Sequence, residues 1–205
     1  MSEKEIIDKY MGRRTIVYRL LECILLPLSF ILYRLKIINW KAIPEKGAAI
    51  LAGNHRFLAD PVFVCCCTKR VVHYLAKEEI FHWPVIGWIF NFILAIPVYP
   101  KGIKHRSTAM AEAVLNEGKL IGIFPEGIRN KTDADLLPFR TGAVRMAADT
   151  GAPIIPLAMK GGIIPFFQPV TIIFGEPYHI DKDADFAEES RRLQNKVLEL
   201  MNSAA

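Results

Sequence analysis

Two short polar motifs, each placed directly after an apolar segment, hold the residues of this chain best suited to chemistry. Residues 54–60 are Asn-His-Arg-Phe-Leu-Ala-Asp, and residues 124–130 are Phe-Pro-Glu-Gly-Ile-Arg-Asn. Histidine is the usual general base near neutral pH, and a carboxylate on its other ring nitrogen fixes the tautomer and stabilises the imidazolium. His55 and Asp60 therefore predict a pair that activates a hydroxyl. The alternative is that Asp60 only caps the helix that begins at Pro61.

The second motif combines a carboxylate, a glycine and an arginine, which together suggest a site for an anion. Arg129 is always charged, and its planar fork of N–H donors suits a phosphate. Gly127 permits a tight turn that exposes backbone N–H groups and lets a ligand approach. Glu126 fits beside an anion if it bonds ligand hydroxyls or orients Arg129, and an ordinary surface ion pair is the alternative. Neither motif alone establishes a site.

A basic cluster precedes a predicted helix that starts near Ser107. Its members are Lys101, Lys104, His105 and Arg106. Such a loop before a helix N-terminus can bind phosphate, and a solvated basic loop is the equal alternative. The other histidines have no partners at the spacing of metal ligands, so we predict no metal site.

An alternation of strands and helices positions these residues. Strands are predicted at 48–53, 71–76, 93–98, 120–124, 153–159 and 170–175, and helices at 61–69, 79–91, 107–117, 140–150 and 185–202. This alternation predicts an α/β fold with a mixed, largely parallel sheet flanked by helices. Both polar motifs follow predicted strands, which is where sheets of this kind build their sites.

The N-terminal part of the chain differs from the rest, and we predict a helical membrane-interface segment at 1–42 before a main domain at 43–205. Residues 13–38 are apolar at helical spacing, and Pro27 is expected to kink this helix or split it into a hairpin. Eight Lys and Arg residues lie within the first 41 positions. An apolar helix flanked by basic residues is typical of an interfacial anchor, and a helix packed on the core is the alternative. Its uncharged stretch of 11 residues is too short to span a bilayer.

Composition restricts the choice of partners. The net charge of +5 favours anionic partners, and the 52% hydrophobic content favours an apolar surface. Because the basic residues lie mostly beside apolar ones and no helix-turn-helix or stacking-aromatic pattern is present, we predict a lipid surface and no nucleic acid. The adjacent Cys65, Cys66 and Cys67 form no disulfide or zinc pattern, which indicates small core residues and a reduced, cytosolic setting.

Taken together, the motifs resemble a known family. Asn-His-x4-Asp at 54–60, followed by Phe-Pro-Glu-Gly-x-Arg at 124–129, is similar to the pattern of the 1-acylglycerol-3-phosphate acyltransferases, also called lysophosphatidate acyltransferases. The resemblance extends over about residues 45 to 180. Supporting segments lie at 76–81, 96–98, 137–143 and 152–157. The two motifs and their supporting segments, in this order and at fitting intervals, form a far more specific signal than any one of them.

The resemblance implies transfer of a fatty acyl group from a thioester to the free sn-2 hydroxyl of 1-acylglycerol-3-phosphate, giving phosphatidic acid. It implies His55 as the base, Asp60 as its partner, and Glu126, Gly127 and Arg129 as residues that bind the acceptor. It implies acyl-coenzyme A or acyl carrier protein as donor, direct attack without an acyl-enzyme, and no cofactor. Because both lipids stay in the bilayer, it also places the enzyme on the cytoplasmic face of the cell membrane.

Three positions depart from the family pattern. Phe57 stands where serine is usual and Ile128 where threonine is usual, and the arginine usual shortly after Ile-Pro-Val is missing. Lys101 is a candidate replacement for that arginine, although lysine is a point charge and not a fork. These changes leave two alternatives open: an acyltransferase for another lysolipid acceptor, or a lipid-binding protein of the same fold without catalysis.

Overall fold

The computed structural model describes residues 14–84, 87, 90, 94–99, 104–161 and 169–203. Its helices are α1 (Arg14–Tyr33), α2 (Asp60–Cys65), α3 (Lys104–Asn116), α4 (Gly142–Thr150) and α5 (Phe186–Ser203). Its strands are β1 (Lys36–Ile38), β2 (Ala49–Gly53), β3 (Val72–Lys77), β4 (Ile96–Val98), β5 (Leu120–Ile123), β6 (Ile154–Gly161) and β7 (Val170–Phe174). Short 3-10 helices lie at Trp40–Ala42 and Glu78–His82.

The strands form one sheet in the order β1-β7-β6-β2-β5-β3-β4. Five of the pairings are parallel, and only β6 and β7 pair antiparallel. The predicted mixed, largely parallel sheet with flanking helices is therefore confirmed. Because β2 and β5 are parallel neighbours, the segments that follow them emerge at the same edge of the sheet.

Both faces of the sheet are buried, which explains why its central strands are apolar throughout rather than alternating with polar residues. Ile50 and Ile121 pack on the face covered by α3, α4 and α5. Leu51 and Leu120 pack on the opposite face, together with α2 and the residues that follow α1. A rigid double-sided core of this kind fixes the strand ends that carry the two polar motifs.

The structure excludes one of the two courses predicted for the N-terminal segment, the hairpin, and shortens the predicted helix. One helix, α1, continues through Pro27, so these residues form a single helix rather than a hairpin. Proline removes one helical hydrogen bond but does not by itself end a helix. The helix also ends earlier than predicted: Arg34 adopts φ +44°, and Lys36–Ile38 form an edge strand parallel to β7. The β-branched Ile37 and Ile38 suit this strand, although their spacing also fitted a helix.

The exposed face of α1 is apolar. Its large exposed side chains include Leu20, Ile24, Leu28 and Ile31, which recur at intervals of four, four and three residues and so share one side of the helix. On the other side, Tyr18 is buried and its hydroxyl accepts a hydrogen bond from the backbone N–H of Val72. Among the residues that the structure describes, no helix has the length and hydropathy to cross a membrane.

The predicted helix at 79–91 begins differently. Glu78–His82 form a 3-10 helix, and Trp83 is extended, so no α-helix runs from residue 79. Gly87 and Phe90 are described, and the other residues between 85 and 93 lie outside the described part of the chain. Pro84 explains the break because the residue before a proline is disfavoured in the α conformation.

Burial of His73 in β3 makes the stability of the fold depend on pH. Burial lowers the pKa of His73 to about 4, although its Nδ1 lies 3.1 Å from the Leu94 carbonyl oxygen. In the unfolded chain, His73 is therefore protonated below about pH 6.5, whereas in the folded protein it stays neutral down to about pH 4. We expect the free energy of unfolding to fall by about 3 kcal/mol over this window on acidification. Urea unfolding between pH 4 and 7.5 measures it.

The matched variant is His73→Gln, which keeps a donor for the Leu94 carbonyl but does not titrate. Other groups also titrate in this range, so the relevant quantity is the difference between the two proteins as a function of pH. The variant should show a shallower loss of stability on acidification. Parallel curves for both proteins would contradict a neutral, buried His73.

Candidate active site

His55 and Asp60 form a hydrogen-bonded pair just beyond the carboxyl end of β2. The distance from His55 Nδ1 to Asp60 Oδ2 is 2.8 Å. A carboxylate only accepts hydrogen bonds, so this contact places the proton on Nδ1 and the lone pair on Nε2. The side chain of His55 remains 17% exposed, whereas that of Asp60 is 1% exposed. The pair therefore has the arrangement of a general base oriented by a buried acid.

Asp60 orients the whole segment before it. The same Oδ2 atom accepts the backbone N–H groups of Arg56 and Phe57, each at 2.8 Å. Asp60 is the first residue of α2, but its Oδ2 bonds residues that precede the helix, and its Oδ1 has no hydrogen-bond partner among the described residues. The capping alternative is therefore wrong: the carboxylate turns back toward His55 instead of forward into the helix.

The backbone of His55 joins the first motif to the second. Its N–H donates to Glu126 Oε1 at 2.7 Å, and its carbonyl oxygen accepts the N–H of Asn130 at 2.7 Å. Glu126 and Asn130 are both 3% exposed. The second motif, about 70 residues further along the chain, therefore holds the backbone of His55 through both its N–H and its carbonyl group.

Glu126 has a positioning role that the sequence did not reveal. Its second oxygen, Oε2, accepts the N–H of Leu137 at 2.9 Å, so both oxygens bond backbone groups. Burial raises the pKa of Glu126, while its hydrogen bonds from Leu137 and His55 and the nearby His55 and Arg56 side chains oppose this effect. The predicted contact of Glu126 with substrate stays a prediction. The alternative, an ordinary surface ion pair, is wrong for Glu126: the residue is buried, and both of its oxygens accept backbone N–H groups.

Replacing Glu126 with glutamine should therefore disturb catalysis more than acceptor binding. A glutamine has one acceptor oxygen, so one of the two backbone N–H groups would face an amide N–H group instead. We expect a loss of about 1–3 kcal/mol in the free energy of unfolding. We also expect kcat to fall by roughly 10-fold or more with little change in acceptor KM, because His55 is displaced. Steady-state kinetics and urea unfolding measure both.

Glu45→Gln is the control because it makes the same charge change in the exposed turn before β2, at the opposite edge of the sheet. It should leave both readouts unchanged. A raised acceptor KM in Glu126→Gln with unchanged kcat would mean that Glu126 contacts the substrate directly.

An aromatic stack supports the ring of His55, and sequence reasoning missed it. The rings of His55 and Phe124 are 4.2 Å apart between centroids and lie within 10° of parallel. The ring of Tyr74 also stacks on Phe124, with the two centroids 5.5 Å apart. Gly122 leaves room for Tyr74, because a Cβ there would lie 2.4 Å from its ring. The stack limits the rotation of the imidazole and keeps water away from one of its faces.

Asn54 anchors the first motif to the sheet and was also missed. Its amide nitrogen donates to the Met159 carbonyl at 2.9 Å, and its oxygen accepts the Met159 N–H at 2.8 Å. The side chain thus replaces a backbone ladder pair between β2 and β6. Its place directly before His55 is the one sequence signal for this role.

Gly127 and Arg129, two of the predicted anion-binding residues, lie between Glu126 and Asn130, which both bond the backbone of His55. Gly127 has φ +74°, which favours glycine, and its N–H bonds the Phe124 carbonyl at 2.9 Å. Arg129 is exposed and makes no side-chain hydrogen bond or ion pair with the described residues. Lys101 lies outside the described residues, and so do the side chains of Lys104, His105 and Arg106.

Comparisons with known proteins identify the family of this chain. The profile of the acyltransferase family matches residues 34–160, which include both motifs. This chain belongs to the acyltransferase family. It is 32% identical over 157 residues to the 1-acyl-sn-glycerol-3-phosphate acyltransferase of Bacillus subtilis, a match that covers 74% of this chain and 76% of that protein.

Two further relatives extend the comparison. The 1-acyl-sn-glycerol-3-phosphate acyltransferase of Borreliella burgdorferi is 33% identical over 147 residues, covering 64% of this chain but 58% of that relative. The crystal structure of PlsC, the 1-acyl-sn-glycerophosphate acyltransferase of Thermotoga maritima, matches with a TM-score of 0.75 at 20% identity, covering 98% of this acyltransferase chain and 87% of PlsC. At that identity the structural match establishes the fold.

Proposed function

We propose that this acyltransferase moves a fatty acyl group from an acyl thioester to the sn-2 hydroxyl of 1-acylglycerol-3-phosphate, giving phosphatidic acid. The observation that carries the proposal is the 2.8 Å contact between His55 Nδ1 and Asp60 Oδ2, which leaves Nε2 as the basic atom. The names of the Bacillus and Borreliella relatives supply the acceptor and the reaction.

The proposed chemistry balances without a cofactor. His55 Nε2 takes the proton of the sn-2 hydroxyl as its oxygen attacks the thioester carbonyl carbon. The tetrahedral intermediate collapses by breaking the C–S bond, and the thiolate leaves with the proton from the imidazolium. Asp60 stabilises the positive charge that His55 carries between these steps. The donor is acyl-coenzyme A or acyl carrier protein, each of which provides such a thioester.

We place the enzyme on the cytoplasmic face of the cell membrane, with α1 lying at the lipid surface. The exposed apolar side of α1 supports this placement, and so does the net charge of +5. Leu58 and Ile128 belong to the two motifs, and they are 60% and 49% exposed. Apolar side chains beside the base suit an acceptor that keeps its acyl chain in lipid.

Another lysolipid is the second candidate acceptor, and one observation favours it. Ile128 is exposed beside Arg129, where the family pattern has a hydroxyl-bearing threonine. Loss of that hydroxyl removes a donor for a headgroup oxygen and alters the acceptor side of the site. A lipid-binding protein without turnover remains the alternative for the same reason.

The deciding experiment is acyl transfer by purified protein in mixed micelles, with acyl-coenzyme A and acyl carrier protein donors. The acceptors are lysophosphatidate, lysophosphatidylethanolamine, lysophosphatidylglycerol and 1-acylglycerol. We expect transfer to lysophosphatidate to be the fastest. Faster transfer to another acceptor would keep the chemistry and reassign the substrate, and binding without any transfer would favour the lipid-binding alternative.

Flotation with vesicles tests the membrane placement separately. The protein should float with vesicles that contain anionic lipid, and replacing Ile24 and Ile31 with serine should reduce the floated fraction while acyl transfer to short-chain acceptors in solution persists. Undiminished flotation of the double variant would exclude the exposed side of α1 as the contact.

A further inference from the structure

Arg140 is held against the second motif by its own backbone and that of a neighbour. Its N–H donates to the Pro125 carbonyl oxygen at 2.9 Å, and the N–H of Leu137 donates to Glu126 Oε2 at 2.9 Å. The segment 137–140 therefore lies along the turn at 125–127. Since Glu126 also receives the N–H of His55, the backbone of Arg140 is coupled to the candidate base.

The side chain of Arg140 crosses the turn at Gly127. A Cβ atom built on Gly127 would lie 2.9 Å from both Cζ and Nε of Arg140 and 3.1 Å from its Nη1. The guanidinium therefore packs on the bare backbone of the glycine. Any larger residue at 127 would displace it, in addition to the strain of φ +74°.

The donors of this guanidinium are unused within the described part of the chain. Arg140 is exposed, and its side chain makes no hydrogen bond or ion pair with described residues. Glu126, the carboxylate that accepts the backbone N–H of Leu137 in this segment, has both oxygens bonded to backbone N–H groups. The N–H donors of this guanidinium are therefore available to an anion from outside the protein.

The turn itself contributes fewer backbone donors than its glycine suggested. The N–H of Gly127 bonds the Phe124 carbonyl, and the N–H of Asn130 bonds the His55 carbonyl. These two N–H groups are therefore occupied, and the charged side chains beside the turn are the strongest donors for an anion bound here. A phosphomonoester has three terminal oxygens, more than one bidentate guanidinium can satisfy, so two arginine forks suit it better than one.

We propose that Arg140 is a second phosphate-binding residue, and that it holds the phosphomonoester of the lysolipid acceptor together with Arg129. This inference rests on the proposed function and names the residue that recognises the acceptor headgroup. The family pattern has an arginine after Ile96-Pro97-Val98 that this chain lacks, and the sequence indicates Lys101 as its candidate replacement. The guanidinium of Arg140 is a second candidate for that role.

The test compares Arg140→Gln and Arg140→Lys with the unaltered full chain. We expect Arg140→Gln to raise the apparent KM for lysophosphatidate roughly 10- to 100-fold, as loss of a charge-assisted fork predicts. Arg140→Lys keeps the positive charge but not the planar pair of donors, so its apparent KM for lysophosphatidate should lie between those of the unaltered protein and Arg140→Gln. The apparent KM for acyl-coenzyme A and the midpoint of thermal unfolding should stay unchanged in both variants.

Lys46→Gln is the control for net charge. Lys46 is exposed in the turn before β2, at the opposite edge of the sheet, so its loss changes the attraction to anionic micelles equally but not the site. It should leave the KM for lysophosphatidate unchanged. An equal rise in Lys46→Gln and Arg140→Gln would overturn the proposal, because it would show a general charge effect.

Equilibrium binding separates this inference from the proposed function. Lysophosphatidate binding to His55→Ala protein should weaken roughly 10-fold or more when Arg140→Gln is added. An unchanged affinity, or a rise in the KM for acyl-coenzyme A instead of the acceptor, would overturn the role of Arg140. If the unaltered protein transfers to no acceptor but binds lysophosphatidate through Arg140, the proposed reaction fails and the phosphate site stands.

Discussion

Purified His55→Ala protein is expected to lose acyl transfer by roughly 1,000- to 10,000-fold in kcat while the apparent KM for the acceptor changes little. The bond from Nδ1 to Asp60 leaves Nε2 as the basic nitrogen of His55, and the proposed reaction uses this atom to take the proton of the hydroxyl. Without it, the hydroxyl must lose its proton to water, and the leaving thiolate must find a proton elsewhere. Initial rates with saturating donor measure the loss.

The His55→Ala variant should still fold, because the motif is held mainly by backbone atoms. Glu126 and Asn130 bond the N–H and the carbonyl of residue 55, and both bonds survive the substitution. Thermal unfolding and lipid binding serve as the readouts of folding. If alanine destabilises the loop, His55→Gln fills the volume beside Phe124 without supplying a base.

His179→Ala is the matched control. His179 is exposed, and its Nδ1 lies 3.0 Å from the Gly151 carbonyl oxygen, before the amino end of β6 and away from the motifs. It should keep full activity. Retained transfer in both His55→Ala and His55→Gln would show that another group removes the proton.

The base pair could be predicted from the sequence because it is local. His55 and Asp60 are five residues apart, and a turn before a helix brings such residues together whatever the rest of the chain does. The contact between His55 and Glu126 could not be predicted in the same way. It depends on β2 and β5 being parallel neighbours, which is a property of the strand order and not of either segment.

The same difference explains the errors in the fold. The central strands were predicted because they are long apolar runs between turn residues, and burial on both sheet faces requires such runs. The edge strand β1 has three residues, and its apolar spacing also fitted the helix before it, so only the pairing with β7 distinguishes the two. The stack of Phe124 on His55 likewise depends on which strands are adjacent, because Tyr74 comes from β3.

Asp60→Asn is expected to lower kcat by roughly 1,000-fold with a smaller loss of stability than Asp60→Ala. An asparagine oxygen at the position of Oδ2 can still accept the N–H groups of Arg56 and Phe57, so the loop keeps its course. The imidazolium, however, loses the negative charge that stabilises it. The amide NH2 group would then occupy the place of Oδ1, which is buried without a hydrogen-bond partner among the described residues.

Asp60→Ala separates the electrostatic role of the carboxylate from its role in holding the loop. Alanine leaves two backbone N–H groups without an acceptor. The free energy of unfolding should therefore fall by about 2–5 kcal/mol in Asp60→Ala, compared with about 1–3 kcal/mol in Asp60→Asn. Urea unfolding at neutral pH measures both. If Asp60→Asn keeps near-normal kcat while Asp60→Ala is inactive and unstable, the carboxylate only shapes the loop.

Asp185→Asn is the control for a carboxylate that accepts backbone N–H groups elsewhere. Asp185 accepts those of Ala187 and Glu188 at the start of α5, and these bonds hold its pKa below its usual range. Its replacement keeps an acceptor oxygen and removes a charge, as in Asp60→Asn, yet no base lies beside it. Loss of kcat in Asp60→Asn alone would therefore assign the effect to the charge facing His55, whereas equal losses would point to a general cost of removing such carboxylates.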